Sequence, residues 1–148
     1  MEDRKKRRRR TKRRIGVWEE VSIPEWNLHG IQAKIDTGAY TSSIDVSNVV
    51  IFEAEEGFAP YAEITFGVGE ESQTVTAPVV AFRRVRNPSG HVTNRPIVSA
   101  VLSLGGKKFR TTINLHRREG MTYRMIVGRK ALAGRFVIDV TRRIRIRK

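Results

Sequence analysis

The chain of 148 residues contains no cysteine. This absence excludes disulfide bonds, a cysteine nucleophile and any thiolate metal site. It fits a reducing compartment, and we expect a cytoplasmic protein, although many exported bacterial proteins also lack cysteine. A domain of this length can bury a core that is stable without such cross-links.

The sequence also lacks a long apolar segment. Its longest apolar stretches, such as Pro78–Phe82 and Pro96–Leu104, are as long as strands and far shorter than the roughly 18 residues that a membrane-spanning helix needs. No apolar segment follows the basic start of the chain, as a signal peptide would require. We therefore expect neither a transmembrane segment nor a secretion signal.

Positive charge is concentrated at the two ends of the chain. The formal charge is +14, but residues 1–14 alone contain ten basic side chains and residues 142–148 contain five. Residues 15–141 contain 14 basic and 13 acidic side chains, so this segment is nearly neutral. We expect residues 1–14 to be a disordered basic tail, because like charges repel and its basic run has nothing apolar to bury. Residues 142–148 should form a basic strand or tail.

The basic tails could bind nucleic acid, ribosomes or an anionic lipid surface through a salt-sensitive attraction to phosphate. A solubilising or loosely adhering extension explains the same composition equally well. A dedicated nucleic-acid binder usually presents a basic face on its folded body. The nearly neutral body therefore argues against nucleic-acid binding as the primary role.

Between the tails, the pattern of apolar residues predicts an all-β domain. Short segments rich in Val, Ile, Thr and aromatic residues alternate with polar positions, as half-buried strands do. Glycine-containing turns separate them, and only Arg129–Gly134 is typical of a helix, a short one that ends on glycine. This organisation favours a sandwich or a barrel. The predicted strands are Ile15–Ile23, Gly30–Asp36, Tyr61–Gly67, Gln73–Phe82, Arg95–Leu104, Lys108–Leu115 and Tyr123–Val127.

Asp36 is the candidate catalytic residue, because it stands at the end of a predicted apolar strand and opens the loop Asp36-Thr37-Gly38-Ala39. The strand would hold the carboxylate rigidly, Gly38 allows a sharp turn and a close approach of another chain or ligand, and Thr37 can fix the loop by hydrogen bonding. Taken alone, the same residues are more typical of an ordinary turn between two strands than of a catalytic loop.

This loop resembles the active-site signature of the pepsin-like and retroviral aspartic peptidases, in which an apolar pair precedes Asp-Thr-Gly-Ala. Downstream, Met125–Arg129 resembles the second signature of the retropepsins, an apolar strand that ends in Gly-Arg and enters a short helix. In that family the strand crosses behind the active-site loop and the arginine braces the dimer interface. The resemblance implies these bracing roles for Gly128 and Arg129.

A narrower resemblance is to small bacterial retropepsin-like proteins that are often labelled ATP-dependent zinc proteases. It covers about residues 15–145 and includes the segments Ile15–Glu19, Gln32–Ala39 and Tyr123–Gly134. Tyr40 departs from the pattern, because that family usually carries arginine there. Substrate preference or dimer contacts could therefore differ in this chain.

The zinc and the ATP of that label find no support in the sequence. It contains no His-Glu-x-x-His, and His29, His91 and His116 stand far apart in different local settings. No Gly-x-x-x-x-Gly-Lys-Ser/Thr loop is present to hold a nucleotide. We therefore predict no cofactor and no metal.

Aspartic peptidases need two carboxylates that share one proton, whereas this chain has a single Asp-Thr-Gly. The resemblance thus implies one lobe, a closed retropepsin-like β-barrel with a short C-terminal helix. It also implies a homodimer in which Asp36 from each subunit forms the dyad. Ile144 and Ile146 alternate with arginines, as in an edge strand that could interleave across the dimer; a frayed tail is the alternative.

Retropepsins close a glycine-tipped hairpin, the flap, over the substrate. The candidate flap is Arg84–Arg95 with Asn87-Pro88-Ser89-Gly90 at its tip, and an ordinary surface hairpin is the alternative.

The favoured function is an aspartic endopeptidase that cuts extended peptide segments. The alternatives are a non-catalytic dimeric peptide-binding module and a small basic nucleic-acid or ribosome binder. Family members are commonly found near ATP-grasp ligases that add amino acids to proteins or peptides, so the resemblance also suggests such a product as substrate.

Overall fold

The computed structural model describes residues 11–86, 88–116 and 123–142, in which eleven strands and one short α-helix are present. Two single turns of 3-10 helix lie at Pro24–Trp26 and Gly69–Glu71. The strands and the helix are β1 (Arg13–Ile15), β2 (Trp18–Ile23), β3 (Leu28–Ile35), β4 (Ser42–Asp45), β5 (Asn48–Phe52), β6 (Tyr61–Phe66), β7 (Gln73–Arg86), β8 (Val92–Leu104), β9 (Lys107–His116), β10 (Met125–Val127), α1 (Arg129–Leu132) and β11 (Phe136–Ile138).

Six strands close into a barrel in the order β2-β3-β10-β4-β9-β8, and pairing of β8 with β2 completes the ring. Closure gives each of these strands a partner on both sides, which removes exposed sheet edges. From β8 the sheet continues outside the ring through β7 and β6 to β5. The predicted all-β, retropepsin-like barrel with one short C-terminal helix is confirmed. In the described part of the chain, no helix has the length and apolar composition needed to cross a membrane.

The barrel interior is filled by alternate side chains of its strands. In β8, Val98, Ala100, Leu102 and Leu104 are buried, while the residues between them are half-buried. This two-residue period is that of a strand with one face on the core. The alternation that predicted the strands from the sequence therefore also identifies which side chains form the core.

We expect Leu102→Ala to lower the free energy of unfolding by about 2–5 kcal/mol, because Leu102 is fully buried and its truncation leaves a cavity inside the barrel. The measurement is urea denaturation followed by circular dichroism. Val101→Ala is the matched control, since Val101 is the half-buried neighbour on the outer face. Equal losses in the two variants would contradict the assignment of the interior face.

The two ends of the described domain lie side by side. β1 pairs with β11 in parallel, with Arg13 opposite Phe136, so the first strand starts two residues before the predicted domain boundary at Ile15. The Arg142 guanidinium donates to the carbonyl oxygen of Arg14 at 2.9 Å. Most of the two predicted tails, including Ile144 and Ile146, lies outside the described residues.

Candidate active site

Asp36 follows β3 directly and is fixed by hydrogen bonds on both its backbone and its side chain. Its N–H donates to the carbonyl oxygen of Val127 in β10 at 2.9 Å. Its carboxylate atom Oδ1 accepts a hydrogen bond from the N–H of Gly38 at 2.9 Å. The side chain of Asp36 is half-buried. The carboxylate is therefore held in one orientation and still accessible to a ligand.

β10 forms the layer directly behind this loop. It lies between β3, which leads into the loop, and β4, which leaves it. Met125 pairs with Ala33 of β3 in parallel and with Ile44 of β4 in antiparallel orientation, and all three side chains are buried. Hydrogen bonding on both edges makes this strand a rigid support for the loop. The retropepsin resemblance implies the same arrangement.

Gly128 allows the loop to touch the strand behind it. A Cβ atom at this position would lie 2.6 Å from the carbonyl oxygen of Tyr40 and 2.9 Å from that of Ala39. Both contacts are with backbone, which cannot rotate away as a side chain can. The N–H of Gly128 also donates to Ser42 Oγ at 3.1 Å. Only glycine fits this close approach.

The start of α1 holds the other side of the loop. The N–H of Arg129 donates to the carbonyl oxygen of Ala39 at 2.8 Å, and the N–H of Lys130 donates to that of Tyr40 at 2.9 Å. The first N–H groups of a helix have no partner inside the helix. The loop carbonyls accept these hydrogen bonds, so helix and loop stabilise each other.

The Arg129 side chain adds a further brace. Its Nη1 donates to the carbonyl oxygen of Thr37 at 2.8 Å, and its guanidinium lies 5.8 Å from the centre of the Tyr40 ring. Both Thr37 and Tyr40 are exposed. The structure thus brings together the predicted loop residues with Gly128 and Arg129, and it shows Arg129 bracing the loop within its own chain.

We expect Arg129→Met to loosen the loop, because the carbonyl of Thr37 loses its charged donor, an interaction of about 1.5–3 kcal/mol when shielded and less at an exposed site. Amide hydrogen exchange at Gly38 and Ala39 should become faster. Lys130→Met is the matched control: it removes the same charge from the next residue of α1 and should leave this exchange unchanged. Equal acceleration in both variants would show that charge, not the hydrogen bond, is responsible.

The candidate flap is a long hairpin formed by β7 and β8. Its strands pair from Val79–Val98 to Arg86–Val92 with a bulge between Val79 and Ala81. Pro88, Ser89 and Gly90 lie in the turn, and Asn87 lies outside the described residues. In the sheet, β8 is separated by β9 from β4, the strand that leaves the Asp36 loop.

The three histidines lie on different elements. His29 is in β3, His116 ends β9, and His91 stands just before β8. Within residues 11–86, 88–116 and 123–142, no three or more His, Asp or Glu side chains are grouped so that they could hold a metal ion.

Ser42 is a contributor to the site that the sequence analysis did not single out. It is 1% exposed, and its hydroxyl accepts the N–H of Gly128. A buried hydroxyl needs a hydrogen-bond partner, but Ser42 is the first residue of the short polar strand β4, and nothing in the local sequence marks it as buried. The partner itself lies 86 residues away in the chain, which local sequence patterns do not reveal.

Known proteins are similar to this chain over most of its length. A family model described as "RimB-like: Retropepsin-like aspartic endopeptidase RimB" matches residues 14–148. A probable alpha-L-glutamate ligase of Parasynechococcus marenigrum (strain WH8102) is 34% identical over 127 residues, which cover 84% of this chain and 27% of that protein. A protein of the same description from Shewanella halifaxensis (strain HAW-EB4) is 28% identical over 129 residues, with 84% and 28% covered. The chain thus spans only about a quarter of the length of these curated relatives.

A solved structure is also similar along nearly its whole length. The crystal structure of a protein of unknown function from Legionella pneumophila subsp. pneumophila str. Philadelphia 1 superimposes with a TM-score of 0.73 at 26% sequence identity. The match covers 88% of this chain and 95% of that one.

Proposed function

Because the chain belongs to the RimB-like family of retropepsin-like aspartic endopeptidases, we propose that it cleaves extended peptide segments as a homodimer with Asp36 as its catalytic carboxylate. The observation that supports this most is the Asp36 loop, which β10 and α1 fix from behind while its carboxylate stays accessible. Residues 15–141 form the catalytic domain in this proposal. The basic segments 1–14 and 142–148 could hold a weak anionic partner such as nucleic acid or lipid.

Two carboxylates are required for the reaction. Two carboxyl groups a few ångströms apart cannot both be ionised, because their negative charges repel, so the pair shares one proton. The ionised carboxylate takes a proton from a water molecule, whose oxygen attacks the peptide carbonyl carbon, while the protonated carboxylate donates to the carbonyl oxygen. The tetrahedral intermediate collapses as the C–N bond breaks and a proton passes to the leaving nitrogen. The products are a new carboxyl group and a new amine.

The second carboxylate has to come from another copy of the chain, since the sequence has only one Asp-Thr-Gly. A twofold axis beside the loop would place Asp36 of the partner subunit next to Asp36. Thr37, Gly38 and Tyr40 are exposed around this point, with Tyr40 54% accessible. These exposed residues are available for the dimer contact.

The hairpin of β7 and β8 serves as the flap in this proposal. An extended peptide can bind against strands through main-chain hydrogen bonds, with alternate side chains entering pockets. A hairpin that closes over it would exclude water from the site and strengthen the electrostatic interactions within it. The part of the hairpin farthest from the barrel, residues 80–86 and 88–94, is exposed apart from the half-buried Val85, and it is the portion available to contact a peptide.

The relatives suggest the chemistry of the substrate. Proteins named probable alpha-L-glutamate ligases contain a region similar to this chain as about a quarter of their length. A peptidase region within a ligase chain would act on the product of its neighbour. We propose that the substrate is a peptide or protein segment that carries α-linked glutamate.

A digest of a peptide library from about pH 3 to pH 8, read by mass spectrometry, tests the proposal. The wild-type dimer should cut, with activity favoured at acid pH because one carboxyl group of the pair has to stay protonated. Asp36→Ala is the negative control and should not cut, and light scattering should show that it still dimerises. If neither protein cuts and both are dimers, the chain is a peptide-binding module instead.

A further inference from the structure

The hairpin of β7 and β8 presents two different faces beyond its bulge. Directly opposed residues of an antiparallel pair lie on the same face of the sheet. Pro96 and Val98 are buried, and their face continues into the barrel interior at Ala100. We call the continuation of this face along the hairpin the inner face; it carries Phe82, Arg84, Arg86, Val92 and Asn94. The opposite side is the outer face, with Arg83, Val85, Thr93 and Arg95.

The inner face combines exposed apolar and cationic side chains. Phe82 is 50% exposed and Val92 is 43% exposed. Arg84 and Arg86 are exposed beside them. The sequence has no Asp or Glu from residue 72 to residue 118, which spans all of β7, β8 and β9. The positive charge of the inner face is therefore not neutralised by its own strands.

The outer face shows that the hairpin tolerates unfavourable charge. Arg83 lies directly opposite Arg95, and like charges in opposed positions destabilise a strand pair. Burial, and secondarily the charge of Arg83, lower the pKa of Arg95. In the described part of the structure the Nε of Arg95 is buried without a hydrogen-bond partner. A hairpin with four arginines and no carboxylate would be stabilised by an anionic ligand.

We propose that Arg84 and Arg86 determine substrate specificity by pairing with two acidic side chains of an extended peptide held under the hairpin. This inference rests on the proposed peptidase function, since that function places the peptide between the inner face and the Asp36 loop. Guanidinium groups bind carboxylates through paired hydrogen bonds in a fixed geometry. Phe82 and Val92 supply apolar contact to the stems of the bound side chains.

The spacing of the two arginines matches an extended peptide. Residues i and i+2 of a strand project from the same face about 6.5–7 Å apart. An extended substrate repeats its side chains at the same interval on one face. Acidic residues at alternate positions can therefore pair with Arg84 and Arg86 in register. The proposed peptidase function, rather than this spacing, favours an acidic peptide over nucleic acid as the ligand.

The test compares kcat/KM of the wild-type dimer for two peptides of equal length, one with glutamate at alternate positions and one with glutamine there. We expect a preference for the glutamate peptide of about 10- to 100-fold, the range for hydrogen bonds between charged groups. The double variant Arg84→Gln/Arg86→Gln should reduce this preference to near unity. Arg83→Gln is the matched control, because it removes a charge of the same strand from the outer face and should keep the preference.

Equal cleavage of both peptides by the wild type would overturn the inference while leaving the peptidase function standing. So would an Arg83→Gln variant that loses as much preference as the double variant, since the effect would then come from overall charge. If no peptide is cut, the proposed function fails, and anisotropy with the labelled peptides decides the inference alone. Glutamate-selective binding that the double variant loses would support it, whereas tighter binding of a labelled RNA of equal length would overturn it.

Discussion

Asp36→Asn is expected to lower kcat/KM for peptide cleavage by about 1,000- to 10,000-fold, because the amide can neither take the proton from water nor share one with its counterpart. The fold should be unaffected. Asparagine retains an oxygen at the Oδ1 position, which can still accept the hydrogen bond from the N–H of Gly38. Initial rates on the best library peptide measure the loss, and light scattering and thermal unfolding check that the variant remains a folded dimer.

Asp139→Asn is the matched control for this variant. The Oδ1 of Asp139 accepts the N–H of Thr141 two residues ahead at 2.9 Å, as that of Asp36 accepts the N–H of Gly38. The pKa of Asp139 lies below its ordinary value, mainly because the hydroxyl of Thr141 donates a hydrogen bond to its carboxylate. Its substitution should leave kcat/KM within about twofold, since surface substitutions rarely exceed about 0.5 kcal/mol. Undiminished cleavage by Asp36→Asn would contradict the catalytic assignment and favour the binding-module alternative.

Gly128→Ala is expected to lower the free energy of unfolding by about 3 kcal/mol and to abolish most cleavage. The added methyl group would lie within 2.6–2.9 Å of backbone atoms of Ala39 and Tyr40. The conflict can be relieved only by moving the loop away from β10. Misplacement of a reacting group by about 1 Å can cost about 100-fold in rate. Urea unfolding and initial rates measure the two effects.

Gly57→Ala separates this steric effect from backbone strain. Gly57 has φ +88, and an added methyl group there would meet no other atom within 4 Å. Alanine at this position therefore costs only the left-handed conformation, about 1 kcal/mol. Cleavage should be retained. Equal losses of stability and activity in both variants would show that the contact of Gly128 with the loop has no special importance for the site.

Strong alternation of apolar and polar residues predicts most of the strands from the sequence. Near the tip of the long hairpin of β7 and β8 this alternation is absent, and the strand ends are not predicted. The apolar pattern predicts one strand up to Phe82 and the next from Arg95, and it leaves Arg84–Arg95 only as a candidate flap hairpin. In the structure β7 continues to Arg86 and β8 starts at Val92. The intervening residues are mostly polar and lack an apolar period. They are strands because they pair with each other, with Arg84 opposite Asn94, and cross-strand pairing is a non-local effect.

β4 was missed for a related reason. Its four residues, Ser42–Asp45, have little strand preference of their own, yet β10 and β9 pair with it on both sides. At the site, the Asp36 loop and the Gly128-Arg129 pair were predictable because both have local motifs. The role of the Ser42 hydroxyl was not predictable, because its hydrogen-bond partner, the N–H of Gly128, lies in a distant segment of the chain. The faces of the hairpin required the register and the bulge, which the sequence does not specify.

The central claim is that one dyad forms from Asp36 of two subunits, and a subunit-mixing experiment tests it most directly. Wild-type and Asp36→Asn chains are unfolded together at equal amounts, refolded so that they pair at random, and assayed at constant total protein. If each active dimer needs two intact carboxylates, activity should fall to about 25% of the wild-type value, because a quarter of random dimers are wild type on both sides. Activity of about 50% would mean that each chain works alone, and it would contradict the shared dyad.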